Sequence, residues 1–119
     1  MKLSEIQEIL KANIVVGHDQ LDTEVTHGAA SDLMSDLLTG KTDGVVALSG
    51  LNNLQVIRTA VIAGVTAVVL VRGKHPDEAM IAHASQHGLP VMTTPFTMFT
   101  ACGRLCAKGI RGVEQKIPK

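Results

Sequence analysis

Residues 44–73, GVVALSGLNNLQVIRTAVIAGVTAVVLVRG, read as strand, glycine turn, helix, glycine stop and second strand. That order is a βαβ crossover, whose two strands must lie parallel. Residues 45–48 and 65–71 are continuous apolar runs rich in β-branched side chains, the pattern of strands covered on both faces. Between them Leu54, Ile57, Ala60 and Val61 recur at helical spacing and predict the stripe that presses on the sheet. Asn52 or Asn53 can cap the helix start, and Gly64 can end it in the left-handed conformation.

Upstream, residues 4–12 predict a helix, with Ser4 and Gln7 offering a capping box and Ile6, Ile9 and Leu10 its apolar face. Residues 14–16 read as a short extended piece, 17–22 as a polar turn, and 24–29 as a weaker strand carrying His27. Ser31 or Asp32 can then cap a short helix through SDLMSDLL, whose Leu33, Met34, Leu37 and Leu38 face the core and which Gly40 ends. Downstream, Pro76 fits a first helical position, with Asp77 and Glu78 at the positive end of the helix dipole. Met80, Ile81 and Ala84 supply that helix's buried stripe, and Gly88 its stop. Residues 89–92 predict a strand, after which Thr94 and Pro95 launch a last helix through Phe99, Cys102, Leu105 and Cys106 to about Lys108. The polar tail, 109–119, is expected to fray or to pack on a neighbour.

Strands alternating with helices at this rhythm imply a three-layer α/β/α sandwich with a mainly parallel sheet, formed by residues 1–119 as one domain. Ligands of such sheets bind outside the carboxyl ends of the strands. Three loops fall there: 49–53, 72–75 and 93–97. The candidate ligand residues are therefore Ser49, Gly50, Asn52, Asn53, Arg72, Gly73, Lys74, Thr93 and Thr94. Glycine lets backbone approach a ligand, asparagine offers amide donors and acceptors, and the cations neutralise phosphate. Arg72 at the end of a buried strand suits an anion, though a solvated arginine has the same local pattern; Thr94 before Pro95 also fits an ordinary helix cap.

Composition narrows the function classes. Lys plus Arg and Asp plus Glu each total 11, so the net charge is zero and no nucleic-acid footprint is evident. Phe96 and Phe99 are the only aromatics, too few for the stacking platforms of a single-strand binder. No apolar run reaches the roughly 20 residues that span a bilayer, and the N-terminus lacks a signal-peptide pattern, so a soluble cytoplasmic chain is expected. Cys102 and Cys106 stand four apart on a predicted helix, an awkward geometry for a mutual disulfide, and read as reduced, buried thiols.

The catalytic motifs do not assemble. Gly40, Lys41 and Thr42 look like the end of a phosphate loop, but that motif needs a glycine where Ser35 stands and a preceding strand. His83 and His87 have zinc-compatible spacing without the protease glutamate or an evident third ligand. There is no nucleophile elbow, and no acid–base pair stands out. No cofactor or metal is implied.

The succession SDLMSDLL, LSGLNNLQVIRTA, AVVLVRGKHPDE and GLPVMTTPFTMFTACGRL resembles the DRTGG-domain family, especially its short stand-alone members, from about Leu3 to Ile110. Such domains are similar to the N-terminal domain of HPr kinase and, more distantly, to the UDP-binding N-terminal domain of Mur ligases, which implies the same sandwich. By position, the family's Asp-Arg pair falls on Leu51 and Asn52, and its Thr-Gly-Gly on Val71, Arg72 and Gly73; only Gly73 is kept. DRTGG domains sit beside CBS domains in nucleotide-regulated pyrophosphatases and precede phosphotransacetylase domains, which implies a regulatory or dimerising role. The ATP-binding catalytic domain of HPr kinase has no counterpart in this sequence.

The expectation is a non-enzymatic regulatory or ligand-binding module, with an adenine nucleotide or another phosphorylated metabolite as the ligand class. A small enzyme using Arg72 and Lys74 as anion clamps, or an interaction subunit of a larger redox or signalling complex, are the competing classes. A homodimer is expected through the last helix and tail, because 45% apolar residues and a mean hydropathy of +0.24 are high for a chain with so few aromatics. Phe96, Met98 and Phe99 cannot all point the same way, so one of them should lie outside the core.

Overall fold

The computed structural model describes residues 1–32 and 42–113. The expected helix through Leu33, Met34, Leu37, Leu38 and Gly40 falls outside them, as does the tail beyond Val113. A six-stranded sheet runs in the order β1-β5-β4-β3-β2-β6. Its strands are β1 (Asn13–Val16), β2 (His27–Ala30), β3 (Val45–Ser49), β4 (Ala67–Leu70), β5 (Val91–Thr93) and β6 (Arg111–Gly112). β1 is antiparallel to β5, and every other pairing is parallel.

Alternation along the central strands sorts the core into two layers. Val46, Leu48, Ala67, Val69 and Met92 pack under α1 (Leu3–Leu10) and α4 (Met98–Ala107), against Leu3, Ile6, Leu10, Ala101 and Leu105. Val45, Ala47, Val68, Leu70 and Val91 face α2 (Leu54–Ala63) and α3 (Glu78–Gln86), against Val56, Ile57, Ala60, Met80 and Ala84. The α/β sandwich and its parallel βαβ centre are as the sequence implies.

Within α2, Asn53 is the cap, its side-chain oxygen accepting from the Val56 N–H at 3.1 Å, and Gly64 ends the helix at φ 78°. The buried stripe is rotated from the expected one: Val56 and Thr59 lie inside, while Leu54 and Val61 are only half-buried. Thr59 is tolerated there because the Gln55 amide donates to its hydroxyl at 3.3 Å.

Several ends differ from expectation, each for a hydrogen-bonding reason. Helix α1 begins at Leu3 and not Ser4: the Lys2 N–H donates to the Glu5 carboxylate at 3.1 Å, displacing the Ser4–Gln7 box. Helix α3 is capped by Asp77, which accepts from the Met80 N–H at 2.9 Å, so Pro76 precedes the cap and is not the first helical residue. Helix α4 is capped by Thr97 and not by Thr94, and starts three residues after Pro95. Its buried stripe is Ala101 and Leu105; Phe99 is 88% exposed, Cys102 half-buried and Cys106 exposed. The thiols are free, but not core residues. The start of the tail does not fray: Ile110 is buried, and Arg111 and Gly112 pair with His27 and Gly28.

Candidate functional site

The parallel strands deliver their carboxyl ends to one edge, and the loops there are stitched to one another. After β4, Arg72 and Gly73 both take positive φ, 60° and 68°, and the Lys74 N–H donates back to the Val71 carbonyl at 3.4 Å. Two positive φ values in succession are the pattern of a type I′ turn, whose first central position favours asparagine or glycine. An arginine there is strained. The turn is held by the loop after β5: the Arg72 N–H donates to the Phe96 carbonyl at 2.7 Å and the Gly73 N–H to the Thr94 carbonyl at 2.8 Å. The loop after β3 joins them through the Asn52 amide, which donates to the His75 carbonyl at 3.0 Å. Two backbone bonds and one from the Asn52 side chain thus fix the relative positions of all three loops.

The expected residues divide by what their polar atoms do. Arg72 and Lys74 are exposed, and Gly50 brings bare backbone beside the arginine: a Cβ at Gly50 would lie 3.3 Å from an Arg72 guanidinium nitrogen. Asn53 spends its side-chain oxygen on the α2 cap, and Asn52 spends its amide on the His75 carbonyl. Thr93 is half-buried in the sheet, paired with Leu70 and Asn13. Thr94 is 1% exposed; its hydroxyl donates to the Leu10 carbonyl at 2.6 Å and accepts from the Phe96 N–H at 3.3 Å. It contributes its carbonyl, not its hydroxyl, to the edge.

Ser49, also 1% exposed, donates to a carboxylate oxygen of Asp32 at 3.0 Å and accepts from the Leu51 N–H at 3.2 Å. The same carboxylate oxygen accepts from the Gly50 N–H at 2.6 Å. Asp32, which the sequence marks only as a helix cap, thereby joins the candidate site. It lies just past β2, so the rule that collected the other loops reaches it once that weak strand is admitted. β2 looks weak because three of its four residues are glycine or alanine. A Cβ on Gly28 would sit 3.2 Å from Ile110 Cγ2, a tight contact that the buried Ile110 would have to yield to.

Two cavities open elsewhere. One, of about 90 Å³, is apolar and lies between β2, β6 and α4, lined in part by Cys102, Leu105, Cys106 and Ile110. Burial, and then the neighbouring Cys106, push the Cys102 thiol above its usual range. The other, of about 340 Å³, is an open groove at the opposite strand ends, lined in part by His27, Lys108 and Arg111. Neither is lined by the carboxyl-edge loops. His83 and His87 stand with ring centroids 4.6 Å apart, and no cluster of three metal-ligating side chains occurs among the described residues.

Residues 5–107 match the model of the DRTGG domain. The chain belongs to the DRTGG-domain family. A crystal structure of the CBS and DRTGG domains of the regulatory region of Clostridium perfringens pyrophosphatase, complexed with the activator diadenosine tetraphosphate, superimposes with a TM-score of 0.72. The match covers 97% of this chain and 50% of that one at 20% identity, so this DRTGG chain spans half the length of its structural neighbour. At that identity the likeness establishes the fold. No curated protein matches the chain. Among the described residues no helix is long and apolar enough to cross a membrane.

Proposed function

We propose that this DRTGG domain is a non-enzymatic regulatory module that binds an adenine nucleotide or a related phosphorylated metabolite at the carboxyl edge of its sheet. The observation that carries the reading is the backbone of Arg72. A non-glycine residue held at φ 60° by bonds from a neighbouring loop keeps an exposed guanidinium beside the bare backbone of Gly50, at a cost a purely structural turn would avoid by using glycine. Lys74 adds a second exposed cation to the same turn. The anion class follows from these cations. The adenine nucleotide is the first candidate because the fold's neighbour belongs to a regulatory region complexed with diadenosine tetraphosphate.

Against a small enzyme stands the environment of Ser49, the hydroxyl that ends β3 next to Gly50. It is buried, its proton is directed at Asp32, and among its described partners there is no imidazole to activate it. The module acts as a homodimer through α4, the reading supported by Phe99, 88% exposed while Phe96 and Met98 pack against the core.

A thermal-shift screen of nucleotides and sugar nucleotides tests the reading. A ligand at 100 times its dissociation constant stabilises by about 2.7 kcal/mol, and Arg72→Ala should remove that gain. Absence of any shift at millimolar concentration contradicts ligand binding; turnover abolished by Arg72→Ala contradicts the non-enzymatic assignment.

A further inference from the structure

Asp32 occupies an arrangement that no other carboxylate of the described chain shares. One of its oxygens takes two donors, the Ser49 hydroxyl at 3.0 Å and the Gly50 N–H at 2.6 Å, so the group is anchored although its surface is exposed. Its second oxygen lies 3.3 Å from the point where a Gly50 Cβ would stand, and an Arg72 guanidinium nitrogen lies 3.3 Å from that same point. A fixed anion and a cation thus flank a gap that exists because residue 50 has no side chain. They are not joined: the ion pairs among the described residues are Met1–Glu24 and Lys2–Asp22.

We propose that Asp32 is a specificity-determining ligand contact, whose second carboxylate oxygen accepts hydrogen bonds from the vicinal hydroxyls of a ribose while Arg72 takes the phosphate of the same molecule. The inference rests on the nucleotide reading of this edge and deepens it. A carboxylate already holding the donors of the β3 loop closes that loop to a second anion, by charge repulsion and by occupancy. What it offers is acceptor capacity, which a hydroxyl pair satisfies without bringing a second negative charge against it, as an inorganic phosphate would. The opposite charges across Gly50 therefore select a molecule with donors at one end and negative charge at the other. An inorganic anion meets half of the site.

Isothermal titration of the full chain with ADP, 2′,3′-dideoxy-ADP and inorganic pyrophosphate tests this, in the wild type, Asp32→Asn and Gly50→Ala. The wild type should prefer ADP to the dideoxy compound about tenfold, the worth of a hydrogen bond to a charged group. Asp32→Asn, whose amide oxygen can still accept from Gly50, should bind ADP about tenfold more weakly and lose the preference. Gly50→Ala keeps a permitted backbone, since its φ is not positive, and fills the gap, displacing only the ends of two exposed side chains; it should weaken ADP binding and abolish the ribose preference in a protein that still melts cooperatively, and so carries the test should Asp32→Asn unfold. ADP binding that ignores both substitutions overturns the role of Asp32 and leaves the nucleotide reading standing. Tighter binding of pyrophosphate by Asp32→Asn than by the wild type, without loss of the ribose preference, would make Asp32 a plug and overturn its role as a contact. Failure of every protein to bind any of the three compounds overturns both readings.

Discussion

Ser49 and Thr94 are both hydroxyls at the carboxyl ends of parallel strands, both 1% exposed, and on opposite sides of β4 in the sheet. What separates them is where the proton goes. Thr94 donates to the Leu10 carbonyl, 84 residues away, and so ties the carboxyl edge of β5 to the end of α1. Ser49 donates to Asp32, an exposed carboxylate beside the cationic turn. Burial and position at a strand end therefore leave the two hydroxyls alike; their partners tell them apart. One hydroxyl closes the core, and the other orients a charged group that solvent or a ligand can reach.

The largest effect on stability is expected at Thr94. Thr94→Val would leave the Leu10 carbonyl without its donor at a buried position, along with the Phe96 N–H, and should lower unfolding free energy by about 2 kcal/mol in urea titrations. Ser49→Ala should cost about 1 kcal/mol, because the exposed Asp32 and the half-buried Leu51 N–H can both replace the lost hydroxyl with water, as the Leu10 carbonyl, at a buried position, cannot; nucleotide affinity should nevertheless fall, since the carboxylate loses half its anchor. Equal stability losses at the two positions would break the comparison. Arg72→Asn should change stability in the opposite direction, gaining about 0.5–1 kcal/mol by placing a residue that tolerates the left-handed region, while nucleotide binding is lost. Phe99→Glu should shift stability by no more than about 0.5 kcal/mol, as an exposed position allows, yet convert a dimer to a monomer in light scattering.

The centre of the fold was legible because two signals coincide there: apolar runs for β3 and β4, and helical spacing with an asparagine and a glycine at the ends of α2. The ends of elements were less so. Thr93, Thr94 and Thr97 are indistinguishable as caps in one dimension, and only the bond from Thr94 to Leu10 removes it from the competition. β6 is two residues long and polar; the sheet edge of β2, not intrinsic propensity, makes it a strand. Phe99 shares helical spacing with Cys102, but the buried stripe of α4 runs through Ala101 and Leu105; Phe99, two residues before Ala101, lies about 200° around the helix from it and points outward. Of the candidate site, the loops and Arg72 were visible through the rule of strand ends. Asp32 was not, because its role depends on bonds to residues 17 and 18 positions away across neighbouring strands.

The central claim is that the ligand sits at the carboxyl edge and not in the cavities, and amide chemical-shift mapping during an ADP titration tests it most directly. The amides of Gly50, Leu51, Arg72, Gly73 and Lys74 should move together and saturate, while those of His27, Lys108 and Arg111, which line the groove at the opposite edge, stay in place. Saturable shifts confined to His27, Lys108 and Arg111, or none at millimolar ADP, would contradict the account.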